Sequence, residues 1–193
     1  MDARYLQATT VLPHQNKVCG RNLRAFCLRH RVALEAIKSP FLNPGKSFFT
    51  AYDVAVAVRI LSTHDKNQMN MKMGFFDTFF LWRMKLSRKF LFRNIGRIIG
   101  HINSCVSYPK FWEKNVKTVD KVPWTLTLVS GLCRNGIKLE EAWTMPESEA
   151  VWFGVANAIY NGSKINVLTT DEEAELEKFN ERIEAYKKQM NHN

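Results

Sequence analysis

The stretch from Phe75 to Val106 constrains the fold more than any other part of the chain. At roughly 100° per residue, Phe76, Phe80, Met84, Leu91, Ile95, Ile98 and Ile102 fall on one stripe about 100° wide, which predicts a single long amphipathic helix. Six basic residues (Arg83, Lys85, Arg88, Lys89, Arg93 and Arg97) lie outside that stripe, and no acid occurs between Leu81 and Gly100. Phe79, Trp82, Phe90 and Phe92 also lie outside it. One packing surface cannot hide both sets of rings. The surplus rings and the cations among them, namely Phe79, Trp82, Arg83, Arg88, Lys89, Phe90, Phe92 and Arg93, are the candidate partner-binding residues. Aromatic anchors ringed by Arg suit a protein partner. Arg and Lys on phosphates with rings on bases suit nucleic acid. The same charge and bulk suit an anionic membrane surface. The bland alternative is a buried helix whose Arg and Lys snorkel to water.

The rest of the chain also reads as helices separated by clear stops. Residues 1–14 are expected to form a mobile or extended arm, with Leu12-Pro13-His14 leading into the domain. A helix is predicted over Gln15 to Ile37, with Leu23, Phe26, Cys27, Leu34 and Ile37 at helical steps; Ser39-Pro40 stops it. Pro44-Gly45 marks a turn. Thr50 and Asp53 resemble a capping box opening a central helix to Ser62. Residues 64–74, with Met69, Met71 and Met73, read as a flexible connection. Gly96 and Gly100 mark a bend or a close helix crossing. Pro109 ends the long helix, and Phe111-Trp112 is expected to plug the following loop onto the core. Pro123-Trp124 opens a helix that Asn135-Gly136 closes. A short helix covers Leu139 to Thr144, and Pro146 opens another that runs to Tyr160, with Glu147 and Glu149 complementing its dipole. After an extended Lys164 to Leu168, Thr170 and Glu173 read as a capping box. The last helix carries the narrow seam Leu176, Phe179, Ile183 and Tyr186. It reads as a tail docked on its own domain, or as a projecting helix that pairs with a partner. The expectation is therefore an all-α protein: a compact domain of about six helices over 15–168, with a C-terminal amphipathic helix over 169–193.

Charge narrows the function classes. The 193 residues carry a formal net charge of +10, which favours acidic partners. The distribution is polar along the chain, since Asp171 to Asn193 holds seven acids against four basic residues. No run of about 18 apolar residues is present, so no membrane span is expected. The four cysteines lack C-x-x-C spacing and read as small buried thiols in a reducing compartment. Cys27 and His30 share a helical face, with Cys19 eight residues back. Zinc needs three or four ligands, and the five histidines (His14, His30, His64, His101 and His192) do not cluster in sequence, so no metal or cofactor is expected. Glu140 and Glu141 are adjacent and point apart on a helix, which makes them a poor acid–base pair. Phosphate-binding, dinucleotide, serine-hydrolase and zinc-protease motifs are all missing. The expectation is a protein that binds and does not catalyse.

Several segments together resemble a known group. These are Leu12-Pro13, Lys38-Ser39-Pro40-Phe41-Leu42 and Thr50-Ala51-Tyr52-Asp53-Val54-Ala55-Val56-Ala57-Val58 in the first half. In the second half they are Pro123-Trp124, the Leu/Val-rich helix ending at Asn135-Gly136, Glu140-Glu141-Ala142-Trp143-Thr144-Met145-Pro146, Glu149-Ala150-Val151-Trp152 and Thr169-Thr170-Asp171-Glu172-Glu173. The pattern resembles the tail assembly chaperone-like proteins of tailed bacteriophages over about two thirds of the chain, with His64 to Lys121 outside it. The resemblance implies a non-enzymatic morphogenesis protein in the host cytoplasm, whose partner is the tape-measure protein or another tail component. A second copy of the chain, or nucleic acid along the basic helix, are the other partners considered. A virion component (a connector or minor capsid protein) and a basic nucleic-acid-binding protein are the rival functions.

Overall fold

The centre of the structure is helix α3 (Ala51–Leu61), whose sequence alternates Val and Ala so that eight of its eleven residues are buried. Its start is set locally. Thr50 Oγ1 accepts from the Asp53 amide at 3.2 Å, and the Asp53 carboxylate accepts from the Thr50 amide at 2.8 Å. This reciprocal capping box satisfies two helix-end donors, with Asp in place of the usual Glu. The computed structural model describes residues 3–10, 16–43, 45, 48–70, 72–111 and 122–190. Among these, ten α-helices and four two-residue strands are found. The protein is all-α, as the periodicities predict. Leu12-Pro13, Pro44, Met71, Trp112, His14 and His192, which figure in the sequence reading, lie outside the described residues.

Two apolar clusters make the core. The first gathers Phe26 and Leu34, α3, and Ile95, Ile98 and Ile102. The second gathers Leu28, Val129, Leu132, Ala142 and Ala150, contributed by α2 (Leu28–Ala36), α7 (Trp124–Arg134), α8 (Leu139–Thr144) and α9 (Glu147–Tyr160). The glycines at positions 136 and 162 take φ of 91° and 87°, as the Asn-Gly stops require. Gly154 lies at the α7–α9 crossing, where a Cβ would come within 2.6 Å of Leu128 Cδ1.

One junction joins the clusters. Cys27 bridges Pro146, the Glu147 amide donates to the Phe26 carbonyl at 2.9 Å, and Arg31 Nε donates to the fully buried Glu147 carboxylate at 2.6 Å. Ser148 Oγ donates to the Cys105 carbonyl at 2.8 Å and accepts from the Ser107 amide at 2.6 Å. The N-terminus of α9 is thus tied both to α2 and to the end of α6 (Arg88–Cys105).

Several expectations are corrected. Residues 3–10 form helix α1 (Ala3–Thr10), which packs on α9 with Tyr5 edge-on to Trp152 at 5.6 Å, in place of a loose arm. The helix expected from Gln15 begins only at Leu28. Before it, β1 (Lys17–Val18) and β2 (Arg21–Asn22) form a hairpin whose turn residues Cys19 and Gly20 take φ of 47° and 76°, incompatible with a helix. The connection at 64–74 contains helix α4 (Lys66–Asn70), with Met69 and Met73 packed on the first cluster. Gly96 and Gly100 mark no crossing, because nothing lies within 4 Å of a Cβ built at either. Phe111 is exposed and sits in β3 (Lys110–Phe111), which pairs antiparallel with β4 (Val167–Leu168). The final cap shifts by one residue: Thr169 exchanges hydrogen bonds with Glu172, opening α10 (Thr170–Met190). No residue of α10 with a described side chain is buried, so the seam is not docked as a tail helix would be: Leu176 and Phe179 are exposed and Ile183 half-buried, and the side chain of Tyr186 lies outside the described residues. Its base is held by Glu173, which pairs with Arg4 and Lys110.

Helix α5 (Phe75–Leu86) is positioned by a buried carboxylate. Asp77 pairs with Arg59 of α3, with Arg21 of the hairpin at 2.8 Å, and accepts from the Gly74 amide at 3.2 Å. Burial pushes the Asp77 carboxyl up, but the Arg59 bond, the Gly74 amide and the Arg21 charge outweigh it and hold it below the ordinary value. A depressed folded-state value contributes stability above the ordinary carboxylate range, and that stability is lost as pH falls through the lower folded value. Asp77→Asn is expected to cost about 3 kcal/mol at neutral pH, because two guanidinium groups lose their counter-charge. Urea unfolding should show this loss, and the gap from wild type should close below about pH 4.

Candidate partner-binding face

The segment Phe75 to Val106 is not one helix. It breaks at Ser87, an extended residue (φ −126°, ψ 101°) whose hydroxyl accepts from the Phe90 amide at 3.3 Å and caps α6. In a continuous helix Phe80 and Phe90 would sit about 15 Å apart along the axis. Here their rings stack at 6.5 Å, 13° from parallel. The chain therefore turns back at Ser87, and the predicted stripe is divided between two helices.

The break exposes two opposed faces on α5. Taking about 100° per residue, Asp77, Phe80, Leu81 and Met84 cluster on one side, where Asp77 and Met84 are buried and Phe80 and Leu81 half-buried. Phe75, Phe79, Trp82 and Leu86 lie within about 60° of each other on the other side. These four are 83%, 46%, 59% and 68% exposed. Their steps of four, three and four make them one apolar seam along the helix. Arg83 and Lys85 flank the seam on either side, and Phe76 on α5 and Phe92 on α6 are also exposed. Phe76, expected inside, is outside.

The eight candidates therefore divide. Phe79, Trp82, Phe92, Arg83, Arg88, Lys89 and Arg93 are exposed. Arg88 and Lys89 occupy the first turn of α6, where cations oppose the helix dipole. Phe90 is half-buried and packs against the first cluster. Arg83 lies over its ring at 4.3 Å and Arg93 at 5.2 Å, so these three stabilise the α5–α6 turn. Gly20 closes the same corner, since a Cβ there would meet the Phe80 ring at 3.2 Å. Lys17, Arg83, Arg93 and Arg97 line a basic cleft of about 410 Å³ beside Phe80 and Phe90. Phe75 and Leu86 were missed by the sequence reading, although their spacing with Phe79 and Trp82 was there to be found.

A second cleft, of about 670 Å³, lies between α7 and α9 and is lined by Leu128, Leu132, Val151, Val155, Ala158 and Ile165. Its polar rim is Thr127, Asn135 and Asn157, so it offers apolar contact and no titratable group.

One cluster of potential metal donors is present among the described residues. His64, which is far from Cys27 and His30 in sequence, stands beside them, and one donor atom from each lies within 4.8 Å of the others. Cys19 is elsewhere, in the hairpin turn. Burial pushes the Cys27 thiol up to about 11 and the His30 imidazole down to about 4. Glu140 pairs with Arg29, and Glu141 stays at the surface, so the two do not work as an acid–base pair. No helix among the described residues is long and apolar enough to cross a membrane. No family model, curated protein or solved structure matches the chain.

Proposed function

We propose that the protein is a non-enzymatic morphogenesis factor of a tailed bacteriophage, a tail assembly chaperone that holds the helical tape-measure protein, or another tail component, in the host cytoplasm. The observation that carries this reading is the exposed seam Phe75, Phe79, Trp82 and Leu86 on α5. Fully burying a large apolar side chain stabilises by roughly 1.5–3 kcal/mol. A helix that leaves four of them in water while anchoring itself through Asp77 is arranged for a second surface. A helical client offers a matching apolar stripe, which the seam engages as one helix face against another. The cations that flank the seam on α5, Arg83 and Lys85, suit an acidic rim on that client. The resemblance of the two halves of the chain to tail assembly chaperone-like proteins supplies the biological setting.

A basic nucleic-acid-binding protein is the rival with an observation of its own, the cleft at Lys17, Arg83, Arg93 and Arg97. The two readings separate in binding experiments. Recombinant tape-measure fragments should be captured by the wild-type protein. Trp82→Ala and Phe79→Ala should each weaken capture at least about tenfold, the loss of a hot-spot residue, with helical content unchanged by circular dichroism. Retention on DNA that collapses between low and moderate salt and survives Trp82→Ala, with no capture of the fragments, would replace the chaperone reading.

Phe90 supplies the control. Because it fills the α5–α6 turn, Phe90→Ala should lower unfolding stability by about 2 kcal/mol. Trp82→Ala should leave it within about 0.5 kcal/mol of wild type. Denaturant midpoints measure both.

A further inference from the structure

We propose that Cys27, His30 and His64 form a binding site for one divalent transition-metal ion of the zinc class, which ties the start of α2 to the end of α3. The donor types come first: one thiol and two imidazoles are a soft and borderline set that selects zinc over magnesium or calcium. The geometry comes second. Their donor atoms lie within 4.8 Å of one another. Bond lengths of about 2.0–2.3 Å put tetrahedral donors roughly 3.4–3.8 Å apart. The site must therefore contract by up to about 1.4 Å, through χ adjustments in Cys27 and His64.

The surroundings orient the two imidazoles. His30 has its Nε2 on the Thr63 carbonyl at 2.8 Å, which fixes that nitrogen as the protonated one. Its Nδ1 then presents a lone pair, engaged only by the Cys27 amide at 3.4 Å. His64 has a buried Nε2 with no hydrogen-bond partner. A backbone carbonyl on one ring nitrogen, as Thr63 provides for His30, is the usual outer support of a metal-ligating imidazole. The two rings stand 5.1 Å apart. Cys27 is the N-cap residue of α2 and is fully buried beside the rings. Binding would release the thiol proton to solvent and leave one thiolate and two neutral imidazoles on the ion, a local charge of +1. Arg29 adds rigidity, donating to the His64 carbonyl at 2.7 Å while pairing with Glu140. Water would complete the fourth position.

The site shares no residue with the α5 seam, so its failure leaves the chaperone reading untouched. The test uses the untagged full chain loaded with Co²⁺ and with Zn²⁺. Intense tetrahedral d–d bands together with a thiolate-to-cobalt charge-transfer band are expected for wild type. About one equivalent of Zn²⁺ should survive gel filtration, and saturating Zn²⁺ should raise Tm by roughly 5–10 °C over the chelated protein. His64→Ala, at a half-buried position, should weaken Co²⁺ binding by more than about tenfold and remove the Tm response. A weak octahedral cobalt spectrum in the wild-type protein overturns the proposal regardless of how the variant folds. Equal binding by wild type and a folded His64→Ala also overturns it.

Discussion

The fold depends on the short antiparallel contact between Phe26–Cys27 and Pro146–Ser148. Helix α2 contributes to both apolar clusters, Leu34 to the first and Leu28 to the second, and α9 contributes Ala150 to the second. Here a fully buried carboxylate, Glu147, meets Arg31, whose guanidinium also accepts the face of Trp124 at 5.5 Å and donates to Tyr108 at 3.0 Å. A buried ion pair of this kind adds little net stability over a packed apolar pair, but removing one partner is expensive. Its directional bonds select one way of docking the two halves of the chain. Burial raises the Glu147 carboxyl despite Arg31. A raised folded-state value means that its contribution declines as pH rises through that value, the reverse of Asp77.

Helices bounded by local chemistry were legible in the sequence. The Thr50–Asp53 box, Pro123, Pro146 and the two Asn-Gly stops each act within four residues, and α3, α7, α8 and α9 fall where they indicate. The errors occurred where non-local contacts decide. Cys19 takes a positive φ because the hairpin must bring Gly20 against the Phe80 ring, a contact that no local pattern announces. Helix α1 is short and polar, and it is held by α9 and by the ion pairs at Glu173. Ser87 caps α6 without an acid at the third position, so the usual capping signature is missing there. A missed cap in the middle of a strong helical period let one stripe run through two helices.

The candidate face was legible in kind and misread in phase. The surplus of rings over one packing surface is real, as the exposure of Phe79, Trp82 and Phe92 shows. Splitting the segment at Ser87 rotates which rings are left over. Phe90 turns inward between Arg83 and Arg93, while Phe75, Phe76 and Leu86 turn outward. The histidine cluster was illegible for a different reason. His30 and His64 are brought together only by the packing of α2 on α3 and by Arg29 gripping the turn that follows.

The way α5 is anchored ties these observations together. A helix held by apolar burial would turn its greasiest face inward and offer polar residues to solvent. Helix α5 is held instead by Asp77, through Arg59 and Arg21, with Met84 as its one fully buried apolar side chain. Hydrogen-bonded charges have direction, and apolar contacts do not. The two tertiary bonds at that carboxylate, from Arg59 and Arg21, set the rotation of the helix about its axis. With the rotation set by charge, the apolar side chains opposite Asp77 are released from holding the helix in place, and Phe75, Phe79, Trp82 and Leu86 remain available to a partner.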